Sequence, residues 1–275
     1  MLTLVPTPIG NLDDISSRAL KALESAELFL CEDTRVTKKL LQLFSEKYNL
    51  TFPCNQFESF HHHNEKKQLA TFDVTTFKEK NIVYVSDAGM PCISDPGATL
   101  VQWCIQNGIP YDVIPGANAV LTAFAMSGFD ATTFTFFGFL PHKGKERQSH
   151  FLEVMQSQIT PILYESPHRL LKLLEELAAY DENRTIFLAK ELTKKYQTVY
   201  KQTAGELFKQ FKSENIKGEW VVIIKPVTVS KGEILTVSDI EELSLPPKQK
   251  AKLLAKMTGR AVKEIYQELL DRIQS

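Results

Sequence analysis

No stretch of the 275-residue sequence approaches the roughly 20 consecutive apolar residues that a membrane-spanning helix requires. The opening MLTLVPTPIG is too short and too soon broken by proline to read as a signal peptide. Cysteine is scarce: Cys31, Cys54, Cys92 and Cys104 are far apart, and no CxxC occurs. That spacing argues against a zinc ribbon and predicts reduced thiols, mostly filling core, in a cytoplasmic protein. GxxxxGK[ST] is absent, which excludes a P-loop, and no strand is followed by GxGxxG, which disfavours Rossmann-type dinucleotide binding. A net charge of −1, from 32 basic and 33 acidic residues, leaves no overall basic field. Contact with nucleic acid must therefore come from local patches.

What is present is a 43% hydrophobic chain, enough for one large or two medium cores. Apolar runs at 2–5, 26–31, 82–85 and 111–114 read as strands. Between them lie helical periodicities at 15–23 (capped by Asp13 or Asp14), 34–44 (capped by Thr34), 65–77 and 98–106, the last stopped at Gly108. This alternation predicts a mostly parallel α/β sheet. A second α/β or α+β block begins near Ala117, with strands at 132–140, 161–164, 185–189 and 220–225 and a helix over 170–179. After Pro226 only helical periodicity remains, at 239–245 and 248–275. The predicted organisation is an α/β domain over 1–116, a second over 117–226 and a helical extension over 227–275.

Ligands in such sheets bind beyond the carboxyl ends of the strands. The turns to search are therefore TPIGN after the first strand, SDAGMPCISDPG (86–97) after the run ending at Val85, and PGANA after Ile114. Glycine in such turns lets a ligand approach backbone N–H and C=O groups, although Gly and Pro also simply turn a chain. Charged groups follow other strands: Glu32, Asp33 and Arg35 in CEDTR, Glu165, His168 and Arg169 in YESPHR, Lys190, Glu191 and Lys194 in KELTK. Either they begin solvated helices or they line a polar cleft. His61-His62-His63 are contiguous, so their side chains diverge, and no metal site is expected of them. Two local basic patches stand out: Lys143, Lys145 and Arg147 in PHKGKER, and Lys248, Lys250, Lys252, Lys256 and Arg260 in a tail window without an acidic residue. They could grip phosphates, or they could be solvated faces.

In order along 7–224 the chain carries TPIGNLDDI, EDTR, HNE, SDAGMPCISDPG, IPGANAV, GFLP, YESPHR, KELTK and GEWVVII. This ordered set resembles the S-adenosylmethionine-dependent tetrapyrrole methylase superfamily, specifically its branch that methylates ribosomal RNA. The resemblance implies two α/β domains with S-adenosylmethionine in the cleft between them, and a homodimer. It also implies methyl transfer to the 2′-hydroxyl of a cytidine in the decoding region of 16S ribosomal RNA, within the small ribosomal subunit. Carried over residue by residue, it implicates Pro8, Ile9 and Gly10 in cofactor contact, then Ala88, Gly89, Met90, Pro91 and Ile93, then Asn118 and Ala119, and finally Tyr164 and Trp220. Members commonly show Thr and Leu where this chain has Met90 and Cys92, so a side-chain hydroxyl contact at position 90 is lost here. A ribose hydroxyl needs a proton acceptor, and Glu32, Asp33, Glu165, Lys190 and Glu191 are the candidates at strand ends. Asp87 and Asp95 are expected chiefly to fasten their loop. A tetrapyrrole methyltransferase and a non-catalytic RNA-binding relative are the alternatives.

Overall fold

Leu28–Cys31 and Ile82–Val85 are apolar runs buried at every position, the mark of inner strands in a sheet covered on both faces. In the computed structural model, which describes residues 1–227 and 235–274, they are β2 and β4. With β1 (Leu2–Leu4), β3 (Phe57–Ser59) and β5 (Tyr111–Val113) they form a parallel sheet in the order β3-β2-β4-β1-β5. Its inner residues feed two apolar clusters, one around Leu30, Phe60, Tyr84 and Leu100, the other around Phe29, Phe44, Val83 and Val85. Each fully buried side chain of this size contributes about 1.5–3 kcal/mol relative to exposure.

The helices α1 (Ser17–Glu24), α2 (Thr34–Tyr48), α3 (Glu65–Leu69), α4 (Val74–Glu79) and α5 (Ala98–Gln106) cover this sheet. Their caps correct the sequence reading by a residue or two. Ser16, not Asp13 or Asp14, caps α1, because those aspartates are spent in a separate 3-10 turn opened by Asn11. Asp33, not Thr34, caps α2. The single helix expected over 65–77 is two, because Asp73 caps a new start with both carboxylate oxygens.

The second sheet holds β6 (Phe134–Phe139), β7 (Thr160–Glu165), β8 (Thr185–Lys190), β9 (Thr198–Thr203) and β10 (Trp220–Ile224), in the order β6-β7-β10-β8-β9. It is mixed: β6 and β7 are parallel, β10 runs against β7 and β8, and β9 against β8. The turn from β8 to β9 is too short for a parallel crossover, and Glu191 and Thr193 take left-handed φ of 50° and 64° to reverse the chain. The helices α6 (Ala119–Ser127), α7 (Gly144–Gln156), α8 (Pro167–Tyr180) and α9 (Ala204–Phe211) accompany this sheet, whose two faces carry separate apolar clusters.

The described chain falls into two compact units, Met1–Pro226 with both sheets, and Val227–Ser275. The second holds α10 (Val237–Glu242), α11 (Pro247–Thr258) and α12 (Val262–Gln274) around Ile240, Ala251, Leu254 and Ile265. Gly259, at φ 71°, ends α11 and divides the stretch of helical periodicity at 248–275. Residues 228–234 of the expected extension, and Ser275 at its end, lie outside the described residues. Among the described residues no helix is long and apolar enough to cross a membrane.

Candidate active site

Where β1 ends, Pro6 and Pro8 stop the strand, and the chain turns back on the loop that follows β4. Thr7 and Gly89 exchange both backbone hydrogen bonds at 3.0 Å, an isolated antiparallel bridge between the TPIGN and SDAG turns. Gly89 sits at φ 86°, a conformation that side-chain-bearing residues rarely adopt, and a Cβ there would stand 3.2 Å from Ile9 Cγ2. The two turns thus form one wall of a cavity of about 320 Å³. Asn118 and Ala119 at the start of α6 continue it, Asn118 capping that helix through Leu121 N–H. The second sheet supplies the opposite side: Phe139 from β6, Tyr164 and Glu165 from β7, Leu192 from the turn after β8, and Trp220 from β10.

The wall is chiefly apolar but carries three carboxylates: Asp95, Glu165 and Glu219. Their settings differ. Glu165 is fully enclosed; its Oε1 accepts from Ser166 N–H at 2.8 Å and faces Arg169 Nε at 3.1 Å, while Oε2 is buried without a hydrogen-bond partner. Burial raises its pKa against the pull of Ser166 N–H and Arg169. Glu219 is largely exposed and paired with Lys194 at 2.9 Å. Asp95 has no basic side chain within ion-pair distance among the described residues, and burial, then the Glu32 carboxylate, push its pKa up to about 6. Trp220 Nε1 is likewise buried without a partner.

Of the residues singled out in the sequence, Ile9, Ala88, Gly89, Met90, Ile93, Asn118, Ala119, Tyr164, Glu165 and Trp220 line this cavity. Pro8, Gly10 and Pro91 do not. Gly10 instead packs against the turn after β8, where a Cβ would fall 2.3 Å from Lys194 Cγ. Glu32, Asp33, Lys190 and Glu191 also stand off the wall. Glu32 accepts Asp87 N–H at 3.3 Å, while Asp87 accepts Asp33 N–H at 3.0 Å, so Asp87 does fasten its loop. Asp33 is held by Arg35, which keeps its carboxyl below the usual range. Glu191 ties Lys194 to Glu219 N–H, and Lys190 lies 5.6 Å from the Trp220 ring centroid. Among the described residues no backbone N–H donates to Asp95; its carboxylate lies on the wall, beside the Ser86 hydroxyl of its own loop. Phe139, Leu192 and Glu219 were not singled out because only folding places them beside the SDAG turn; their signal is membership of the GFLP, KELTK and GEWVVII motifs at strand ends.

The basic candidates separate clearly. Lys143 and Lys145 are exposed. Arg147 is not available to a phosphate: it is 4% exposed, and its guanidinium bonds Glu176 at 2.6 Å and the Pro141 carbonyl at 3.0 Å. It faces inward because α7 turns that position onto α8. In the tail, Lys248, Lys252 and Lys256 are exposed, Lys250 Nζ donates to the Glu241 carbonyl at 2.6 Å, and Arg260 pairs with Glu268. His62 lies 3.5 Å from Glu65, and no group of three potential metal ligands occurs among the described residues.

Comparison with known proteins accords with this architecture. Residues 1–207 match the family model of the tetrapyrrole (corrin/porphyrin) methylases. A protein of Campylobacter fetus named ribosomal RNA small subunit methyltransferase I is 48% identical, over 98% of this chain and 100% of its own. Proteins of the same name from Escherichia coli O157:H7 and Thermotoga maritima are 37% and 39% identical, over 98% and 81% of this chain and 95% and 97% of theirs. Among solved structures, diphthine synthase aligns with a TM-score of 0.60 at 15% identity, over 84% of this chain and 92% of its own. Cobalt precorrin-4 methyltransferase, a cobalamin biosynthetic enzyme, aligns at 0.57 and 18%, over 81% and 93%. At those identities the structures speak for the fold alone.

Proposed function

The chain belongs to the tetrapyrrole methylase family, and we propose that it is the methyltransferase that uses S-adenosylmethionine to methylate a cytidine 2′-hydroxyl in the decoding region of 16S ribosomal RNA. The observation that carries this reading is identity of 37–48% over nearly the whole chain to ribosomal RNA small subunit methyltransferases. The assembled small subunit is the proposed substrate, the cytoplasm the proposed location, and a homodimer the proposed working form.

The cavity suits the methyl donor. S-adenosylmethionine joins an apolar and aromatic body to a cationic centre. The wall matches that mixture with an apolar majority and three carboxylates. Among the residues present, Ile9, Gly89, Met90, Asn118, Tyr164 and Trp220 would hold the cofactor. Gly89 offers its backbone at close range, and the Met90 side chain adapts to an irregular surface.

When bound, the sulfonium supplies a methyl carbon already activated for displacement. The protein's part is alignment, exclusion of water and acceptance of a proton. The apolar wall excludes water; the Thr7–Gly89 bridge and the Asn118 cap fix the positions of the contacting groups. Substrate capture rests on phosphate contacts by Lys143, Lys145, Lys248, Lys252 and Lys256, with sequence read from an exposed nucleotide.

Transfer of a tritiated methyl group tests the reading. Small subunits lacking the modification, naked 16S RNA and a porphyrinoid are offered in parallel, and nuclease mapping then locates the label. Label at one cytidine ribose of the subunit is expected. Label on the porphyrinoid alone would overturn the reading, as would absence of cofactor binding in a calorimetric titration.

A further inference from the structure

Strand β6 carries a bulge against β7. Phe136 is opposite Ile162 and Phe139 is opposite Tyr164, so three steps along β6 span two along β7, and the register shifts between Phe136 and Gly138. Gly138, at φ 64°, takes the left-handed turn that admits the extra residue. Bulges between parallel strands are uncommon, and bulges beside active sites re-aim a side chain. Here the effect follows from parity. Phe134, Phe136 and Tyr164 belong to the apolar cluster on one face of the sheet, and Phe137, Leu140 and Leu163 to the cluster on the other. Strict alternation from Phe136 would send Phe139 to the second face, with Phe137 and Leu163. The bulge returns it to the first, where it lines the cavity with its ring centroid 5.6 Å from that of Tyr164.

Phe139 is 53% exposed there, although a place against the core lay one step of register away. A lone exposed phenylalanine is ordinary on a protein surface. One turned away from the core by a bulge, onto the rim of a cavity, marks a binding surface. The backbone that carries it is firmly held. Leu140, 3% exposed, anchors the chain on the far face. Arg169 Nη2 donates to the Leu140 carbonyl at 2.6 Å, and Arg147 Nη1 to the Pro141 carbonyl at 3.0 Å. Glu165 sets Arg169 at 3.1 Å, and Phe136 backs Tyr164 with ring centroids 4.9 Å apart. The result is a fixed aromatic ring open to solvent, followed within six residues by the exposed Lys143 and Lys145.

We propose that Phe139 is the platform on which the base of the target nucleotide stacks, an assignment that rests on the RNA methyltransferase reading above. A ribose hydroxyl that reaches the methyl carbon inside the cavity leaves its own base at the mouth, beside this ring. In folded RNA the base is already stacked on its neighbours, and an aromatic ring that replaces those contacts lowers the cost of drawing the nucleotide out. Lys143 and Lys145 then meet the flanking phosphates. Every base has a π-face, so stacking tolerates any of them. Phe139 is thus a positioning residue: it holds the nucleotide with its ribose toward the cavity and does not choose the base.

Methylation kinetics on unmodified small subunits are measured for wild type, Phe139→Ala, Phe139→Leu, Phe139→Tyr and Phe139→Trp, alongside S-adenosylmethionine titrations and melting curves. Phe139→Ala is expected to melt and to bind the cofactor as the wild type does, and to lose about 5–150-fold in kcat/KM for the subunit. Phe139→Leu, which keeps apolar bulk without a π-face, should fall with it, while Phe139→Tyr and Phe139→Trp should stay near wild type. A photo-crosslinking phenylalanine analogue at position 139, irradiated with small subunits and S-adenosylhomocysteine, should join the nucleotide that accepts the methyl group. Wild-type kinetics in Phe139→Ala or Phe139→Leu, a fall in rate matched by a fall in cofactor affinity, or a cross-link to ribosomal protein or a remote nucleotide would each overturn the assignment. With the wild type active, any of these results leaves the proposed function standing. A wild type inactive on every form of the subunit removes that function and this assignment with it.

Discussion

Replacing Arg147 with Ala separates two roles that the sequence alone leaves entangled. The side chain lies in a basic loop, yet all of its described bonds are internal. Nε sits 3.1 and 3.2 Å from the two Glu176 oxygens, Nη2 is 2.6 Å from Oε2, and Nη1 is 3.0 Å from the Pro141 carbonyl. Removing one partner of a buried ion pair costs about 3–5 kcal/mol, mostly because the remaining charge is stranded. Here the Glu176 side chain is 29% exposed and partly rehydrates, so the low end, about 3 kcal/mol, applies. For a unit of this size each kcal/mol lowers the melting temperature by about 2–4 °C, giving a fall of about 6–12 °C. Calorimetry of the full chain reads it as a shift of the transition that belongs to the larger unit. Glu176→Leu combined with Arg147→Met should recover most of the loss, since a buried pair is exchangeable for apolar packing. A melting temperature within a degree of wild type, together with a weaker salt dependence of RNA binding, would refute the reasoning and return Arg147 to the RNA surface.

Gly89→Ala forces a side chain into φ 86° beside Ile9; a cost of about 1–2 kcal/mol at the cavity wall corresponds to roughly tenfold weaker cofactor binding by titration calorimetry. Unaltered affinity would show that the backbone at Gly89 does not meet the ligand. Gly97→Ala drives a Cβ onto Tyr84 and Cys92 and should destabilise by about 3 kcal/mol in a denaturant titration. A near-neutral effect would mean that the loop is freer than its contacts imply. Lys248→Ala with Lys252→Ala should flatten the log–log salt dependence of RNA binding by about 1.4–1.8 while sparing cofactor affinity; an unchanged slope argues against phosphate contact by α11.

The inner strands were legible because burial leaves no polar choice: the run at 82–85 matches β4 residue for residue. β3 and β9 escaped notice, the first being three residues long and the second reading TVYKQT, exposed at four of its six positions. The reversal of β10 was illegible because strand direction follows from connection geometry, not from the composition of WVVII. At the cavity, motif order pointed to Ala88, Gly89, Met90, Pro91, Ile93, Asn118 and Tyr164, all of which line it apart from the buried Pro91. Glu32 and Asp33 sit at the end of a strand and still miss the wall, since their bonds to Asp87 and Arg35 turn them aside. A carboxylate near a strand end is readable in a sequence; the partner that claims it is not.

The mutual hydrogen bonds of Thr7 and Gly89 have a mechanical meaning. Val5 N–H already bonds the Tyr84 carbonyl, so the two turns and the two strands they leave form a closed loop of covalent and hydrogen bonds. Two segments rich in proline and glycine, which suggest slack, are in effect a hem stitched to the sheet. Amide exchange at Thr7 and Gly89 should follow the slow strand amides of β1 and β4, and give in the cavity during ligand entry falls to the segments on its other side.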